Sequence, residues 1–159
     1  MTSTIHRLLY TLSLMMLTLS APAQKQQDFA GRYMQLYAEG SSLTCQTVSP
    51  TMMQKMLQLT PAHTDDATHE ALKRLKSIRL VTQSHPDDAK QAYDNALTLA
   101  HNNPARYRLQ KEQDNKKIFA RTKGKHIIEV VLISLNDHRF NLVDLTGIMP
   151  KDFVDSLIK

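Results

Sequence analysis

Residues 116–147 read KKIFARTKGKHIIEVVLISLNDHRFNLVDLTG, and they give the strongest indication of the fold of the chain. It contains three segments with the alternation that is typical of β-strands, at residues 117–122, 126–135 and 138–146. Turn-forming residues, Gly124 and Asn136-Asp137, separate them, so we expect an antiparallel meander. The middle segment is apolar on both faces except for Glu129, which indicates a strand in the centre of the sheet.

Outward from the meander, the spacing of apolar residues changes to that of helices and short strands. We expect further strands at residues 42–48, 77–82 and 107–110. We expect helices at residues 28–39, from Ser49-Pro50, at 70–75, from Ser84 to Asn102, and from Pro150 onward. The sequence therefore predicts an α+β fold, a mostly antiparallel sheet with a C-terminal strand meander and helices packed on one face.

The N-terminal segment has the pattern of a signal peptide. Arg7 precedes an uncharged, mostly apolar run at residues 8–19, and Ala21 and Ala23 form a small-x-small cleavage pattern. We therefore expect a signal peptide at residues 1–23 and a single α+β domain at residues 24–159. Cleavage after Ala23 would leave an exported protein, periplasmic or secreted, without a transmembrane span in the mature chain.

Composition narrows the possible activities. The chain has 159 residues, 42% of them hydrophobic and 22% charged, which is typical of one small globular domain. Its single cysteine excludes an internal disulfide. The sequence contains no glycine-rich phosphate loop, GxSxG elbow or HExxH motif. We therefore assign no catalytic residue, no metal ligand and no cofactor.

Several short segments carry a family resemblance. They are CQTVSPTMM at residues 45–53, the block at 72–81, EVVL at 129–132 and LTGI at 145–148. In this order they resemble an uncharacterised domain-of-unknown-function family of small exported proteins, often lipoproteins, from Bacteroidetes-type bacteria. The resemblance implies a bacterial envelope protein with no assigned enzyme activity. No cysteine directly follows the cleavage site, in contrast to the lipoprotein members.

Two groups of reactive side chains deserve a structural interpretation. Cys45 lies in a predicted strand, and we expect it to be a small buried apolar residue. The alternatives are an intermolecular disulfide and a nucleophilic thiol. Residues 63–70, HTDDATHE, combine imidazoles with carboxylates, but two histidines six apart match no standard metal motif. We expect a solvated loop that leads into a helix.

The clearest chemical asymmetry is basic. Residues 106–125 contain eight basic and two acidic side chains. The candidate binding residues are Arg106, Arg108, Lys116, Lys117, Arg121, Lys123 and Lys125. On adjoining strands they would attract anionic lipid headgroups or acidic polymers, although lysines also protect exposed sheet edges from aggregation.

The leading hypothesis is an exported, non-catalytic envelope protein that binds a protein or another envelope component. One alternative is a small envelope hydrolase that uses Cys45 or a histidine with an acid. The other is a protein that binds anionic surfaces through the basic hairpin. We expect no nucleic-acid partner.

Overall fold

The strands predicted from the sequence form one six-stranded sheet. The structure is a computed structural model and describes residues 27–59, 66–83 and 85–157, so the predicted signal peptide lies outside the described residues. The helices are α1 (Phe29–Tyr37), α2 (Pro50–Leu59), α3 (Asp66–Arg74), α4 (Pro86–His101) and α5 (Lys151–Ser156). The strands are β1 (Leu43–Val48), β2 (Leu75–Gln83), β3 (Arg108–Gln113), β4 (Lys116–Lys123), β5 (His126–Asn136) and β6 (Arg139–Met149).

The strand order is β1-β2-β6-β5-β4-β3, and every neighbouring pair is antiparallel. Strands β3 to β6 form the predicted meander, and β2 joins it by pairing with β6. Strand β5 lies between β4 and β6, so its predicted central position is confirmed. The α+β class is confirmed with it.

The helices cover both faces of the sheet, whereas the sequence predicted that they cover one. In β5, Val131 belongs to a core cluster with α1 and α4, and the preceding Val130 belongs to a second cluster with α2, α3 and α5. Strand β4 alternates in the same way through Phe119 and Ile118. A strand that is apolar on both faces needs cover on both, and this requirement explains the division.

The helix starts follow the capping residues that the sequence suggested. The Asp28 side chain accepts a hydrogen bond from the backbone N–H of Gly31 at the start of α1. The Ser49 hydroxyl accepts one from the N–H of Met52 at the start of α2, at 3.3 Å. Helix α4 begins at Pro86, where the fixed proline φ suits the first helical position.

Strand β6 passes very close to the junction of α3 and β2. The backbone of Gly147 has φ +145°, and a Cβ atom built there would lie 2.4 Å from the Arg74 carbonyl oxygen. Glycine is required at this position for conformational and steric reasons. Gly40, at the end of α1, also has a positive φ, of +71°, but no atom lies within 4 Å of its missing Cβ.

These two glycines give a direct test of the close approach. We expect Gly147→Ala to lower the free energy of unfolding by about 1–3 kcal/mol or more, because backbone strain and a backbone clash act together. Gly40→Ala is the matched control, since it adds only the positive-φ strain. Urea denaturation of both variants measures the difference, and equal losses would show that β6 can move away from Arg74.

Candidate functional site: a groove beside a buried carboxylate cluster

The first three amides of α1 each donate a hydrogen bond to a different carboxylate. The Phe29 N–H binds Glu129 Oε1 at 2.6 Å, and the Ala30 N–H binds Asp144 Oδ2 at 2.8 Å. The Gly31 N–H binds Asp28 Oδ1, also at 2.8 Å. The N-terminal amides of a helix lack intrahelical partners and lie at its positive end, so three carboxylates satisfy them well.

Two arginines and a tyrosine complete this carboxylate cluster of Asp28, Glu129 and Asp144. Arg121 forms an ion pair with the fully buried Glu129, and the Tyr107 hydroxyl donates a hydrogen bond to Glu129 Oε1 at 3.3 Å. Arg79 forms an ion pair with Asp28 at 3.1 Å. A buried carboxylate is tolerated when its oxygens are paired and hydrogen-bonded, and Glu129 meets this condition.

Asp144 is less completely compensated than Glu129. Its Oδ1 atom is buried and has no hydrogen-bond partner among the described residues. Burial of the carboxyl group, and next the negative charge of Glu129, raise the pKa of Asp144 well above its usual value. Asp144 therefore favours the protonated form over a wider pH range than an exposed aspartate does.

Next to this cluster, three adjoining strands break their regular pairing at the same level of the sheet. Between β2 and β6 the register shifts at Lys76, which has no partner between Leu75 and Ser77. Between β5 and its neighbours it shifts at Ile128. Opposite Ile128, two residues of β6, Gly147 and Ile148, have no partner on β5, although Gly147 pairs with Leu75 of β2. Bulges of this kind redirect side chains and are common beside functional sites.

The residues at these register shifts line one groove of about 520 Å³, which we call the bulge groove. Its lining residues are Asp28, Lys76, Arg121, Lys123, His126, Ile128, Thr146, Gly147 and Ile148. A second depression, of about 420 Å³, shares Arg121, Lys123 and Ile128 with it and continues to Arg106. Volumes of this size are typical of small-molecule pockets.

The uncompensated charge of the bulge groove is positive. Two of its charged residues are already paired, Asp28 with Arg79 and Arg121 with Glu129. Lys76 and Lys123 are exposed and form no ion pair among the described residues. Within the described part of the chain, the groove therefore presents two ammonium groups that form no ion pair.

The predicted basic residues do not form one continuous solvent-facing patch. Arg108, Lys116, Lys123 and Lys125 are exposed, as expected. Lys117 is mostly buried and pairs with Glu112. Arg121 faces the buried cluster through Glu129.

Arg106 is also engaged locally. Its guanidinium donates to the Gln27 carbonyl oxygen and to the Tyr107 hydroxyl. Only part of the predicted set is thus available to a partner.

Cys45 is exposed, which corrects the expectation of a buried residue. It lies in β1, which in the described part of the chain is an edge strand that pairs with β2 and with no other strand. Partial desolvation raises the pKa of the Cys45 thiol, which lowers the thiolate fraction that a nucleophile needs.

The histidine- and acid-rich segment is only partly described. His63 lies outside the described residues, whereas His69 and Glu70 are in α3. Glu70 is ion-paired with Lys73 at 2.9 Å. Among the described residues, no three histidine, cysteine or acidic side chains are grouped so that they could hold a metal ion.

The sequence analysis noted Glu129 only as the polar exception in β5, and it missed Asp144 and Lys76. Asp144 continues the i, i+2 series of Phe140 and Leu142, which are both buried, so its inward position had a signal. Lys76 had none, because a bulge depends on how two strands pair rather than on either strand alone.

The pKa of Asp144 predicts a pH dependence of stability. Because its pKa is raised in the folded state, folding is linked to proton uptake between the unfolded pKa, about 3.9, and the raised value. The contribution of Asp144 to the free energy of unfolding therefore falls as the pH rises through that window. Asp144→Asn removes this contribution but keeps an oxygen acceptor for Ala30.

We expect the wild type to lose stability relative to Asp144→Asn as the pH rises above about 4. Urea midpoints of both proteins, measured from pH 4 to pH 8, give the difference curve. Two parallel curves would contradict a raised pKa for Asp144.

The ion pair of Arg121 gives a second stability prediction. Arg121→Gln leaves Glu129 buried without its cation, so we expect a loss of about 3–5 kcal/mol in the free energy of unfolding. Lys123→Gln, two residues along β4 and exposed, should change it by about 0.5 kcal/mol or less. Thermal and urea unfolding distinguish the two variants. Similar small effects in both would show that Arg121 does not stabilise the buried Glu129.

Comparison with known proteins identifies the family but gives no activity. No curated protein and no solved structure matches the chain. A family model matches residues 37–157, which include all six strands, the four bulged residues and both buried carboxylates. The chain therefore belongs to the family described as Domain of unknown function (DUF4252).

Proposed function

We propose that this protein is an exported, non-catalytic component of a bacterial envelope that binds an anionic envelope constituent through the bulge groove. The observation that carries the proposal is the positive charge of Lys76 and Lys123, which form no ion pair among the described residues, in a groove at the register shifts of the sheet. Bacteroidetes-type origin and export after cleavage at Ala23 belong to the same proposal. They are supported by the family resemblance and by the signal-like residues 1–23.

The surroundings of the groove favour an anionic partner over a cationic one. Lys125 is exposed in the β4–β5 turn, at the end of the sheet where the groove lies, so it adds to the positive field there. Arg108 is exposed on the edge strand β3 opposite Ala120, and Lys116 is exposed at the far end of β4 opposite Ser134. The acidic residues nearest the groove, Asp28 and Glu129, are neutralised by arginines. No helix in the described part of the chain is long and apolar enough to cross a bilayer.

Vesicle binding tests the proposal. The protein is purified from its host in the form that remains after any processing there. We expect it to co-sediment at low salt with phosphatidylglycerol vesicles but not with phosphatidylcholine vesicles. Each basic residue near an anionic surface contributes about 1 kcal/mol, so Lys76→Gln with Lys123→Gln should weaken binding roughly thirtyfold.

The matched control removes the same charge elsewhere. Lys90 on α4 and Lys151 on α5 are exposed and paired within their own helices, with Asp94 and Asp155. Lys90→Gln with Lys151→Gln should leave vesicle binding within about threefold of the wild type. If both double variants weaken vesicle binding equally, the affinity depends on the net charge of the protein, and this result would contradict a site at the groove.

A further inference from the structure

The bulge groove combines Lys76 and Lys123 with apolar side chains. This combination limits the chemical class of ligand that the groove would bind. Ile148 is 44% exposed, one of few large hydrophobic side chains in the described residues with such exposure. Ile128 is half-buried and lines the same groove. Both are unpaired bulge residues, so the irregular pairing presents them to the groove.

The two lysines lie on opposite sides of these isoleucines. Lys76 is on β2 and Lys123 is on β4, with β6 and β5 between them. Three strand spacings separate their backbones by roughly 14 Å. Each ammonium group is carried by a flexible four-carbon stem, so both can approach one anionic group above Ile128 and Ile148.

We propose that the bulge groove binds one phosphate-bearing amphiphile at a time, with its phosphate between Lys76 and Lys123 and its first methylene groups against Ile128 and Ile148. This inference rests on the proposed function and deepens it from a charged surface to a pocket for a single molecule. A phosphate monoester carries nearly two negative charges and accepts hydrogen bonds from lysine. The alkyl chain would cover apolar surface that is otherwise in water.

The adjoining depression supplies room for a ligand longer than the groove itself. It holds about 420 Å³ beyond Lys123 and is lined by Ala105 and Thr122 as well as by Arg106. The two spaces adjoin, since both are lined by Arg121, Lys123 and Ile128, so an alkyl chain that leaves the groove past these residues reaches the second depression.

Titration with soluble probes tests this inference without a membrane. Dodecyl phosphate, kept below its micelle concentration, should shift the methyl NMR signals of Ile128 and Ile148 in the isoleucine-labelled protein. We expect inorganic phosphate to bind roughly a hundredfold more weakly than dodecyl phosphate, because it lacks the alkyl chain. We expect dodecyltrimethylammonium not to bind, because it lacks the phosphate.

Two variants separate the apolar contact from the charge. Ile148→Ala should weaken dodecyl phosphate about tenfold, since it removes a large part of the apolar contact. Leu36→Ala is the matched control, because Leu36 is 54% exposed on α1 and does not line the groove. It should change the affinity less than twofold.

The outcomes distinguish this inference from the proposed function. Binding to vesicles without binding of monomeric dodecyl phosphate would overturn the single-molecule pocket and leave the surface-binding function intact. If neither vesicles nor dodecyl phosphate bind, the pocket and the proposed function are both overturned. Equal affinity for inorganic and dodecyl phosphate would indicate a bare phosphate site and contradict the inference. Equal losses in Ile148→Ala and Leu36→Ala would indicate general detergent adsorption and contradict it as well.

Discussion

Two carboxylates on the central strands, Glu129 and Asp144, are fully buried, and the position of α1 depends on both. Burial of two acidic groups is costly unless donors surround them, and the free amides at the start of a helix are such donors. Helix α1 thus does more than cover the sheet. Its amides compensate charges that the sheet could not otherwise hold, and its Phe29 ring packs at 5.0 Å against Tyr107, which also contacts Glu129.

The groove beside this cluster exists because three strands pair irregularly at one end. In a regular ladder, the side chains of each strand alternate between the two faces of the sheet. Lys76, Ile128 and Ile148 would then not all lie on one face, and they would not line a common cavity. The close passage of Gly147 against Arg74 belongs to the same irregularity, because only a residue without a Cβ fits there. The energetic cost of lost pairing is concentrated where the protein gains a concave surface.

Local patterns predicted the elements well, and long-range pairing limited what they could say about the site. The strand alternation of residues 117–146 and the caps at Asp28 and Ser49 placed β4 to β6, α1 and α2 near their observed bounds. The doubly apolar β5 implies helices on both faces of the sheet, whereas the predicted fold has them on one face. The exposure of Cys45 followed from the edge position of β1, which the sequence of that strand does not encode.

The anchoring of α1 also has a consequence for the order in which the molecule can assemble. Phe29 and Ala30 bind partners that lie 100 and 114 residues later in the chain. A nine-residue helix is only marginally stable in water by itself. The ribosome synthesises the chain from its N-terminus, so β5 and β6, which carry the partners of α1, are made long after α1. Helix α1 of a nascent chain therefore lacks these partners until β5 and β6 have been synthesised, and contacts between residues so far apart in the sequence slow folding.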